Sequence, residues 1–537
     1  MLHTKYSSGL EAQKKLQAGI NKLEKAVSVT LGAKGRLAVI QRIVQPPFST
    51  KDGVTVASEF ILQDAEEQAG VIMVREASKK TAQQAGDGTT ATVILTNAII
   101  NEGIKAIESG ENAVDVVKKI ELATKEVVKY IENSAVAVST EPVKEGEVDY
   151  LKQVATIAAN GNSEIGGMIA DAYRKIGKNG ICNMGEPLSS HTEVRYSKGL
   201  RIESGYTDSR YSTNFHKMTS ELVNPLVLIY ENKVLDPQHI MRKGGLTNDG
   251  KEVLGGIIYE IAKLKKPVLF MCDGLDETST ASLLQAFKNN DIKICVAKLP
   301  SQSESRKELL KDVAALTGAT ICGTANGIKI SEAKLEHCGQ AAKVIVGKDF
   351  TVFEATEGRE EFISARAEEI SGQLNEEEFP ISKEELATRL AKLTSGIATI
   401  HVGATTDLEQ RELLYRVEDA ILAVKSALEE GIVVGGGMCL KNAGSYAHET
   451  SLPIYIHTAL LAPISKLLSN AGIKDVVFYG NDNLGYNVAT GEKCDLFKAG
   501  IVDAAKVPRC AIQNASSIAC QILLTETLLV QANTEIQ

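Results

Sequence analysis

Apolar positions recur at helical spacing in the first and last thirds of the chain. Near the start, Leu16, Ile20 and Leu23 share one face with Val27, and Gly32 follows as a candidate helix end. The same pattern predicts helices over 64–84 and 89–110, and a late helix with the apolar stripe Leu414, Val417, Ile421, Val424 and Leu428 before Gly431. Residues 37–57 are interpreted as two short strands around a Pro-Pro turn.

Short apolar runs replace the helical pattern in the middle third. They predict strands at 225–231, 266–272, 291–299 and 342–347. Helical stretches at 277–288 and 303–318 lie between these runs, and strands that alternate with helices predict an α/β domain. Residues 242–256 are rich in glycine and polar residues, which indicates a surface loop.

Length and charge limit the classes of protein that fit. A chain of 537 residues exceeds one hydrophobic core and suggests roughly three or four domains. Hydrophobic residues make up 44% and charged residues 24%, which is typical of an ordered globular protein. The net charge of −9 argues against a nucleic-acid partner, because such proteins present a basic face.

The cysteines indicate a reducing compartment. There are nine, and no two have the C-x-x-C spacing, so we expect buried thiols and neither disulfides nor a zinc site. The first sixteen residues lack the apolar core of a signal peptide, and no apolar run approaches the roughly 18 residues of a membrane span. We therefore expect a cytoplasmic protein without a membrane partner.

The stretch AGDGTTATVIL at 85–95 carries candidate chemistry. Gly86 and Gly88 flank Asp87, and the predicted helix begins at Thr89. A helix N-terminus offers free N–H groups, and glycines let an anion approach the backbone closely. Asp87 would repel phosphate unless a small hard cation lies between them. This combination predicts a site for a magnesium nucleotide.

Two other interpretations of this stretch stand beside that one. Asp-Gly followed by Thr is also an ordinary turn with a helix cap. GDGTTA fits the dinucleotide fingerprint G-x-G-x-x-A, but that fingerprint follows a strand, and here the preceding residues are helical. The P-loop pattern G-x-x-x-x-G-K-[ST] does not occur in the sequence.

Six motifs in order carry a resemblance to a known family. They are TLGAKGR at 30–36, TKDGVTVA at 50–57, AGDGTTATV at 85–93, YRVEDAI at 415–421, EEGIVVGGG at 429–437 and LGYNVAT at 484–490. Together they resemble the group I chaperonins, the sixty-kilodalton family of barrel-forming, ATP-driven folding machines. The resemblance runs from near residue 10 to near residue 530, and its divergence is compatible with a virus-encoded or specialised member.

The resemblance implies a chaperonin architecture of three domains. A mainly α equatorial domain with a discontinuous chain is expected at 1–140 and 430–537. A small α/β intermediate domain is expected at 141–198 and 396–429, and an α/β apical domain at 199–395. Gly199 and Gly396 match the family's hinge glycines, and Ser395 stands where the family has a second glycine.

The resemblance also implies the residues of the nucleotide site. Those that would bind ATP are Thr30, Leu31, Gly32, Ala33, Lys51, Asp87, Gly88, Thr89, Thr90, Ala91, Gly436, Asn487, Val488, Ala489 and Asp503. Asp87 would hold Mg²⁺, and Thr30 and Lys51 would lie near a K⁺ site. Asp419 would swing in to orient the attacking water, helped by Asp52, whereas such an acid alone is more often a solvated surface residue.

Several positions depart from the family pattern. Ala33 replaces a proline, Ala91 a threonine, and Ser426 an alanine. The positions that match the family's client-binding surface are Tyr206, Arg210, Tyr211, Gly255, Ile258, Thr280, Leu284 and Gln285. Three of these are polar where the family is apolar. Either client capture or use of a lid co-chaperonin is altered, or these are variable surface positions without such a role.

Three hypotheses about function remain open at this level. The first is an ATP-hydrolysing folding chaperone that encloses non-native client proteins in a homo-oligomeric ring, expected to be heptameric and single or stacked double. The second is a ring-forming nucleotide-binding scaffold with altered or lid-independent handling of substrates. The third is a metabolic nucleotide enzyme, which rests only on the glycine-rich turns. A virus-encoded chain would act in the host cytoplasm.

Overall fold

A computed structural model gives the fold of the chain. It describes residues 2–42, 47–143, 148–159, 161–185, 191–214, 218–233, 257–289, 292–300, 304–323, 326–377, 379–404, 406–449, 453–474, 476 and 483–533. The predicted loop at 242–256 and Gly255 lie outside these residues.

The helices of the described chain are α1 Gly9–Val27, α2 Gly53–Glu59, α3 Ala65–Ala85, α4 Thr89–Glu108, α5 Ala113–Ser134, α6 Tyr150–Ala158, α7 Ser163–Ile176, α8 Ile257–Leu264, α9 Glu277–Asn289, α10 Glu304–Thr317, α11 Glu360–Glu376, α12 Pro380–Thr394, α13 Asp407–Glu430, α14 Met438–Glu449, α15 Ile454–Leu460, α16 Ala462–Asn470 and α17 Lys506–Leu523.

The strands are β1 Leu2–Ser8, β2 Ala38–Ile40, β3 Phe48–Thr50, β4 Ile181–Gly185, β5 Glu193–Ile202, β6 Ser220–Val223, β7 Leu226–Tyr230, β8 Val268–Cys272, β9 Ile294–Lys298, β10 Ile321–Cys322, β11 Gly339–Gln340, β12 Lys343–Val346, β13 Thr351–Glu354, β14 Gly396–His401, β15 Ile432–Val434, β16 Leu484–Asn487, β17 Glu492–Asp495, β18 Val502–Ala504 and β19 Thr527–Asn533.

The chain forms two compact units. Unit 1 comprises Met1–Arg174, Ser189–His191 and Val402–Gln537, and unit 2 comprises Lys175–Leu188 and Thr192–His401. Unit 1 is therefore discontinuous in sequence, as predicted for an equatorial domain. This division assigns most of the predicted intermediate segments to unit 1, and the three-domain boundaries themselves stay a prediction.

Unit 1 is mainly helical around one apolar core. The stripe of α1, including Leu16, Ile20 and Leu23, is fully buried and shares this core with Ile100 of α4 and Ile522 of α17. Strands occur in this unit as two-stranded ribbons: β1 with β19, β2 with β3, β15 with β18, and β16 with β17. The ribbons connect helices and position loops, while the helices supply the core.

Unit 2 is an α/β unit with two sheets. One is six-stranded in the order β4-β14-β5-β13-β12-β6. The other contains β10, β7, β8 and β9 as parallel neighbours, with β11 antiparallel to β7. All five residues of β8 are buried, as expected for a parallel strand covered on both faces. The α/β character predicted for the middle third is confirmed.

Most predicted elements agree with the structure to within a few residues. The predicted strands at 225–231, 266–272, 291–299 and 342–347 correspond to β7, β8, β9 and β12. All nine cysteines are free, and seven are buried, whereas Cys338 and Cys494 are half-buried. Among the residues described, no helix combines the length and apolar character that a membrane span requires.

Two local predictions are wrong. Helix α1 ends at Val27, because Ser28–Thr30 tightens into a 3₁₀ turn, and Gly32 lies beyond this turn without capping the helix. Residues 54–57 are helical although Val54, Thr55 and Val56 favour strands. A helix forms here instead of a strand because Asp52 caps its N-terminus and accepts hydrogen bonds from two otherwise free N–H groups.

A buried ionic cluster joins three helices of unit 2. Asp312 of α10 is 1% exposed and accepts hydrogen bonds from Arg366 of α11 at 2.7 Å and from Arg389 of α12 at 2.9 Å. Arg366 also contacts the carboxylate of Glu308 at 2.6 Å. Removing one partner from such a cluster leaves an uncompensated buried charge.

We predict that Asp312→Asn destabilises unit 2. Loss of the carboxylate leaves two guanidinium groups short of charge compensation, so the free energy of unfolding should fall by about 3–5 kcal/mol. Urea unfolding of the full chain measures the change. The control is Glu336→Gln, which removes an exposed pair with Lys334 and should change stability by less than about 1 kcal/mol. Similar midpoints for the two variants would contradict the prediction.

Candidate functional site

The Asp87 turn joins α3 to α4 through two left-handed glycines. Gly86 ends α3 with φ 79°, and its N–H donates to the carbonyl of Ala82 at 2.8 Å. Gly88 precedes α4 with φ 92°, and its N–H donates to the Asp87 carboxylate. The first N–H groups of α4 therefore lie directly beside Asp87, an arrangement that suits an anion held together with a cation.

Asp52 lies at the start of α2 and caps it. Its carboxylate accepts from the N–H of Val54 at 3.0 Å and from the N–H of Thr55 at 2.8 Å. A side chain at Gly53 would come within 2.2 Å of the Thr90 hydroxyl oxygen, so the start of α2 packs against the first turn of α4. The contact between the start of α2 and the first turn of α4 thus brings the motifs TKDGVTVA and AGDGTTATV together.

The Thr30 loop and the Gly436 turn meet at an apolar contact. A side chain added at Gly32 would clash with Leu467, and one at Gly436 would contact Leu467 and Leu496. Leu496 also lies beneath Gly485, at the start of the LGYNVAT motif. The glycines of three motifs that are distant in sequence, Gly32, Gly436 and Gly485, therefore pack against Leu467 or Leu496.

Asp503 lies on β18 beside the triple glycine. It pairs with Val433 of β15, and a side chain at Gly435 would lie 3.1 Å from its carboxylate oxygen. The pKa of Asp503 is raised to about 7, mainly because the surrounding protein excludes water and also because Asp87 is near. Asp503 therefore belongs to the same acidic neighbourhood as Asp87.

Asp419 is brought to this neighbourhood by α13. Its side chain is accessible to solvent, yet its pKa is raised to about 8 because surrounding protein displaces water and because Asp87 and Asp52 carry like charge. Accessibility together with desolvation is the property of a carboxyl that lines an open cleft. Asp419 therefore lies near Asp87 and Asp52, and its catalytic role stays a prediction.

Four carboxyl groups from four segments share one site. The pKa of Asp87 is raised, first by desolvation and then by Asp52, while the Gly88 N–H partly opposes this shift. Carboxylates that crowd together resist full ionisation unless a cation or donor compensates them. Such a donor set suits a hard cation with oxygen ligands, and Mg²⁺ binds protein through only one or two carboxylates and takes its other ligands from phosphates and water.

The described residues contain no group of three or more His, Cys, Asp or Glu side chains arranged to hold a metal by themselves. The fit for Mg²⁺ therefore rests on Asp87 as a single protein ligand. Thr30 donates its hydroxyl to the carbonyl of Val27 at 2.8 Å and is buried, which leaves its oxygen able to accept a cation. Lys51, which directly precedes Asp52 in the sequence, is exposed.

The remaining predicted nucleotide residues occupy turns and helix starts. Thr89, Thr90 and Ala91 form the first turn of α4, and Leu31 and Ala33 lie in the loop after Thr30. Asn487 ends β16, and its side-chain oxygen accepts from the N–H of Ala489 at 3.0 Å, which shapes the turn through Val488.

Sequence reasoning missed two residues that support this site. Asn470 donates its amide to the carbonyls of Ser28 at 2.9 Å and Leu31 at 3.1 Å, which fixes the Thr30 loop from 440 residues away. Leu467 provides the apolar contact beneath Gly32. Neither has a local signature, because both act through tertiary contacts of α16.

The predicted client-binding residues of unit 2 differ in exposure. Tyr206 and Leu284 are half-buried, and Gln285 is exposed. Tyr211 and Thr280 are 2% and 4% exposed, so neither side chain lies at the surface in this structure, and their predicted client-binding role stays a prediction. Both pack inward, because Tyr211 belongs to the hydrophobic core of unit 2 and the Thr280 hydroxyl donates to the carbonyl of Asp276.

Arg210 is held in an ion-pair cluster at this surface. Its guanidinium contacts Asp208 and Glu277, each at 2.8 Å. Ile258 lies in α8, and the structure describes only its backbone. Among the side chains of the predicted surface that the structure describes, the exposed ones are the polar residues Arg210 and Gln285, and Arg210 forms a charged cluster with Asp208 and Glu277 of α9.

Comparison with solved structures identifies a close likeness in fold. The chaperonin gp146 from bacteriophage EL 2 (Pseudomonas aeruginosa), crystallised in the presence of ATP-BeFx, matches with TM-scores of 0.74 for crystal form II and 0.66 for crystal form I. Sequence identity is 20%, and the match covers 98% of this chain and 99% of gp146. The whole chain thus has a chaperonin fold.

The family follows from the sequence match. The model of the TCP-1/cpn60 chaperonin family covers residues 23–533, so the chain belongs to that family. The predicted chaperonin resemblance is confirmed, as is the predicted architecture of a mainly α discontinuous domain with α/β domains. With 20% identity to the phage protein, this chain is a divergent member.

We predict that the ligand-free protein loses stability as pH rises from 6 to 9. Asp503 and Asp419 hold protons in the folded state up to pKa values of about 7 and 8, whereas the unfolded chain releases them near the ordinary aspartate pKa of 3.8. The folded state therefore binds more protons, and its advantage is lost as pH passes through these values.

Thermal unfolding across this pH range measures the effect. Asp503→Asn should flatten the decline, since a loss of about 1 kcal/mol corresponds to roughly 2–4 °C in Tm for a unit of this size. Asp115→Asn, which changes an exposed acid on α5, should leave the decline unchanged. A wild-type Tm that is constant or rises from pH 6 to 9 would refute the assignment.

Proposed function

We propose that this protein is an ATP-dependent protein-folding chaperone that forms a ring-shaped chamber for non-native proteins. The observation that carries the proposal is the convergence of Asp52, Asp87, Asp419 and Asp503 at glycine turns of unit 1. Membership of the chaperonin family and the fold shared with a chaperonin crystallised with ATP-BeFx support it.

Nucleotide is proposed to bind at the turns that surround these acids. The Gly88 turn and the first N–H groups of α4 face the phosphates, with Thr89 and Thr90 as hydroxyl donors. Asp503, beside Gly435, is placed to accept from the ribose hydroxyls. Backbone donors compensate for the hydroxyl that Ala91 lacks, so ATPase activity is expected.

Two cations complete the proposed site. Asp87 would hold Mg²⁺, with Thr30 and Lys51 near K⁺, by their match to the family motifs. Bound Mg²⁺ neutralises charge on the phosphate oxygens. A cation there also lowers the cost of ionising Asp87, because opposite charge within a few ångströms favours the carboxylate.

Asp419 is proposed to orient the attacking water, with Asp52 assisting. Phosphoryl transfer depends on positioning and charge compensation more than on covalent chemistry. Asp419 suits this role because its carboxyl is accessible to water while it lies beside Asp87. The amide hydrogen bonds of Asp52 hold its carboxylate in one orientation.

The partners of this activity are proposed from the family. Copies of the chain would form a homo-oligomeric ring, heptameric and single or stacked double, with the three predicted domains moving during the ATP cycle. Non-native proteins would bind to unit 2. A separate lid co-chaperonin would close the chamber if the protein uses one.

The polar surface of unit 2 favours a second candidate function. Arg210 is held by Asp208 and Glu277, and Tyr211 and Thr280 point into the core, so the predicted apolar capture surface is reduced. A ring-forming nucleotide-binding scaffold with altered or lid-independent substrate handling fits this observation. Recovery of an aggregation-prone test protein with ATP decides in favour of the chaperone, and nucleotide binding without recovery decides in favour of the scaffold.

We predict that Asp419→Asn abolishes most ATP turnover while nucleotide binding persists. With Mg²⁺ bound beside Asp87, the nearby positive charge would favour the ionised form of Asp419. The amide keeps the shape of the side chain but cannot accept a proton or orient water as an anion, so kcat should fall about 100-fold or more. Steady-state phosphate release gives kcat, and equilibrium binding of ATP gives affinity.

The matched control is Glu409→Gln on the first turn of the same helix. It changes an exposed acid outside the cluster and should keep wild-type turnover. Wild-type turnover in Asp419→Asn would remove this residue from the catalytic assignment, and loss of turnover in both variants would attribute the effect to α13 as a whole.

We predict that the purified chain assembles into a closed ring. Native mass should be a large multiple of the subunit mass, and ATP with magnesium should change its shape or stoichiometry. Light scattering coupled to size-exclusion chromatography and native mass spectrometry measure both. A monomer under every condition contradicts the chamber, although it leaves nucleotide binding intact.

A further inference from the structure

Helix α13 lies against the Asp87 turn along a single face. Asp419, Leu422 and Ser426 follow each other at spacings of three and four residues, so they share this face. They meet the turn in the opposite order: Asp419 is near Asp87, Leu422 contacts Gly86, and Ser426 contacts Ala85. The three neighbouring contacts set the register between α13 and the turn.

Ser426 makes the polar contact of this face. Its hydroxyl donates to the carbonyl of Ala85 at 2.9 Å, and its side chain is 4% exposed. Ala85 is the last residue of α3, where carbonyls lack a partner within the helix. Ser426 therefore satisfies a buried acceptor one residue before Gly86, and leaving that acceptor unsatisfied would be unfavourable.

Gly86 allows α13 to approach this closely. A side chain at Gly86 would place its Cβ 2.1 Å from the Cβ of Leu422. The left-handed φ of 79° also suits glycine at this position. The steric requirement follows from the close approach of α13, and the left-handed φ follows from the turn itself. Ser426 lies one helical turn beyond Leu422 on the same face.

The C-terminal end of α13 has separate anchors. Glu429 pairs with Lys506, and Glu430 pairs with Arg509 through two hydrogen bonds, one of them at 2.7 Å. These ion pairs join α13 to α17. They lie beyond Ser426 and hold the end of the helix. Helix α6 and strand β18 also pack against α13, whereas Leu422 and Ser426 contact the Asp87 turn itself.

We propose that Ser426 is a positioning residue, which holds Asp419 at the nucleotide turn through its hydrogen bond to Ala85. The inference rests on the proposed ATPase and deepens it. Ser426 is not proposed to touch nucleotide, because its partner is the backbone of α3. Its effect on hydrolysis is exerted through the placement of the Asp419 carboxylate relative to Asp87.

The test is Ser426→Ala in the full chain. Alanine is a good helix former, so α13 should persist, while the lost hydrogen bond lets Asp419 depart from its position. We expect kcat for ATP hydrolysis to fall about tenfold, the effect of one hydrogen bond, with the KM for ATP within about twofold of wild type. Lys425→Ala, which changes the adjacent exposed residue, is the matched control and should keep wild-type kcat.

A double-mutant cycle separates positioning from general destabilisation. If Ser426 acts through Asp419, then adding Ser426→Ala to Asp419→Asn should not slow turnover further. Additive losses in the double variant, or equal changes of kcat and KM in Ser426→Ala, overturn the inference in favour of a structural role.

The outcomes also distinguish this inference from the proposed function. Wild-type kcat in Ser426→Ala together with loss in Asp419→Asn refutes the inference and leaves the ATPase assignment in place. Wild-type turnover in Asp419→Asn refutes the assignment itself. Ser426→Thr retains the hydroxyl and should recover part of the lost kcat, whereas a turnover no better than that of Ser426→Ala counts against the hydrogen bond.

Discussion

Mutual repulsion among carboxyl groups is the constraint on which the site of unit 1 depends. The pKa values of Asp87, Asp419 and Asp503 are raised mainly because the surrounding protein excludes water, and further because another acid of the cluster is near. Such crowding destabilises the folded state unless it is compensated, so favourable packing elsewhere in the protein must offset it. A nucleotide with its cation is the kind of ligand that would relieve the repulsion.

Glycines and helix caps hold the segments that carry these acids in place. Gly86 allows α13 to approach α3, Gly88 opens the first turn of α4, and Asp52 closes the start of α2. Each of these is a local backbone device, and each fixes the position of one acid or its neighbour. The site is therefore built on helix termini, whose free N–H groups complement negative charge.

Unit 2 has a different physical basis. Its parallel strands are buried, and an ionic cluster of Asp312 with Arg366 and Arg389 joins the helices α10, α11 and α12. The exposed part of the predicted client surface carries the Arg210 ion pairs where an apolar surface was expected from the family. If this surface handles substrates, as proposed, its exposed charges depart from the apolar pattern of the family motif.

The sequence by itself determined the elements and the motifs. Helical periodicity predicted α3 and α4, because side-chain burial repeats with the helical period, and short continuous apolar runs predicted the parallel strands, which are buried on both faces. Six ordered motifs indicated the chaperonin family and the acids of the site. Only the tertiary structure decided that Val54–Val56 form a helix, that Tyr211 is buried, and that Ser426 and Asn470 support the nucleotide turns. These features depend on contacts between distant segments, which leave no periodic signal in the chain.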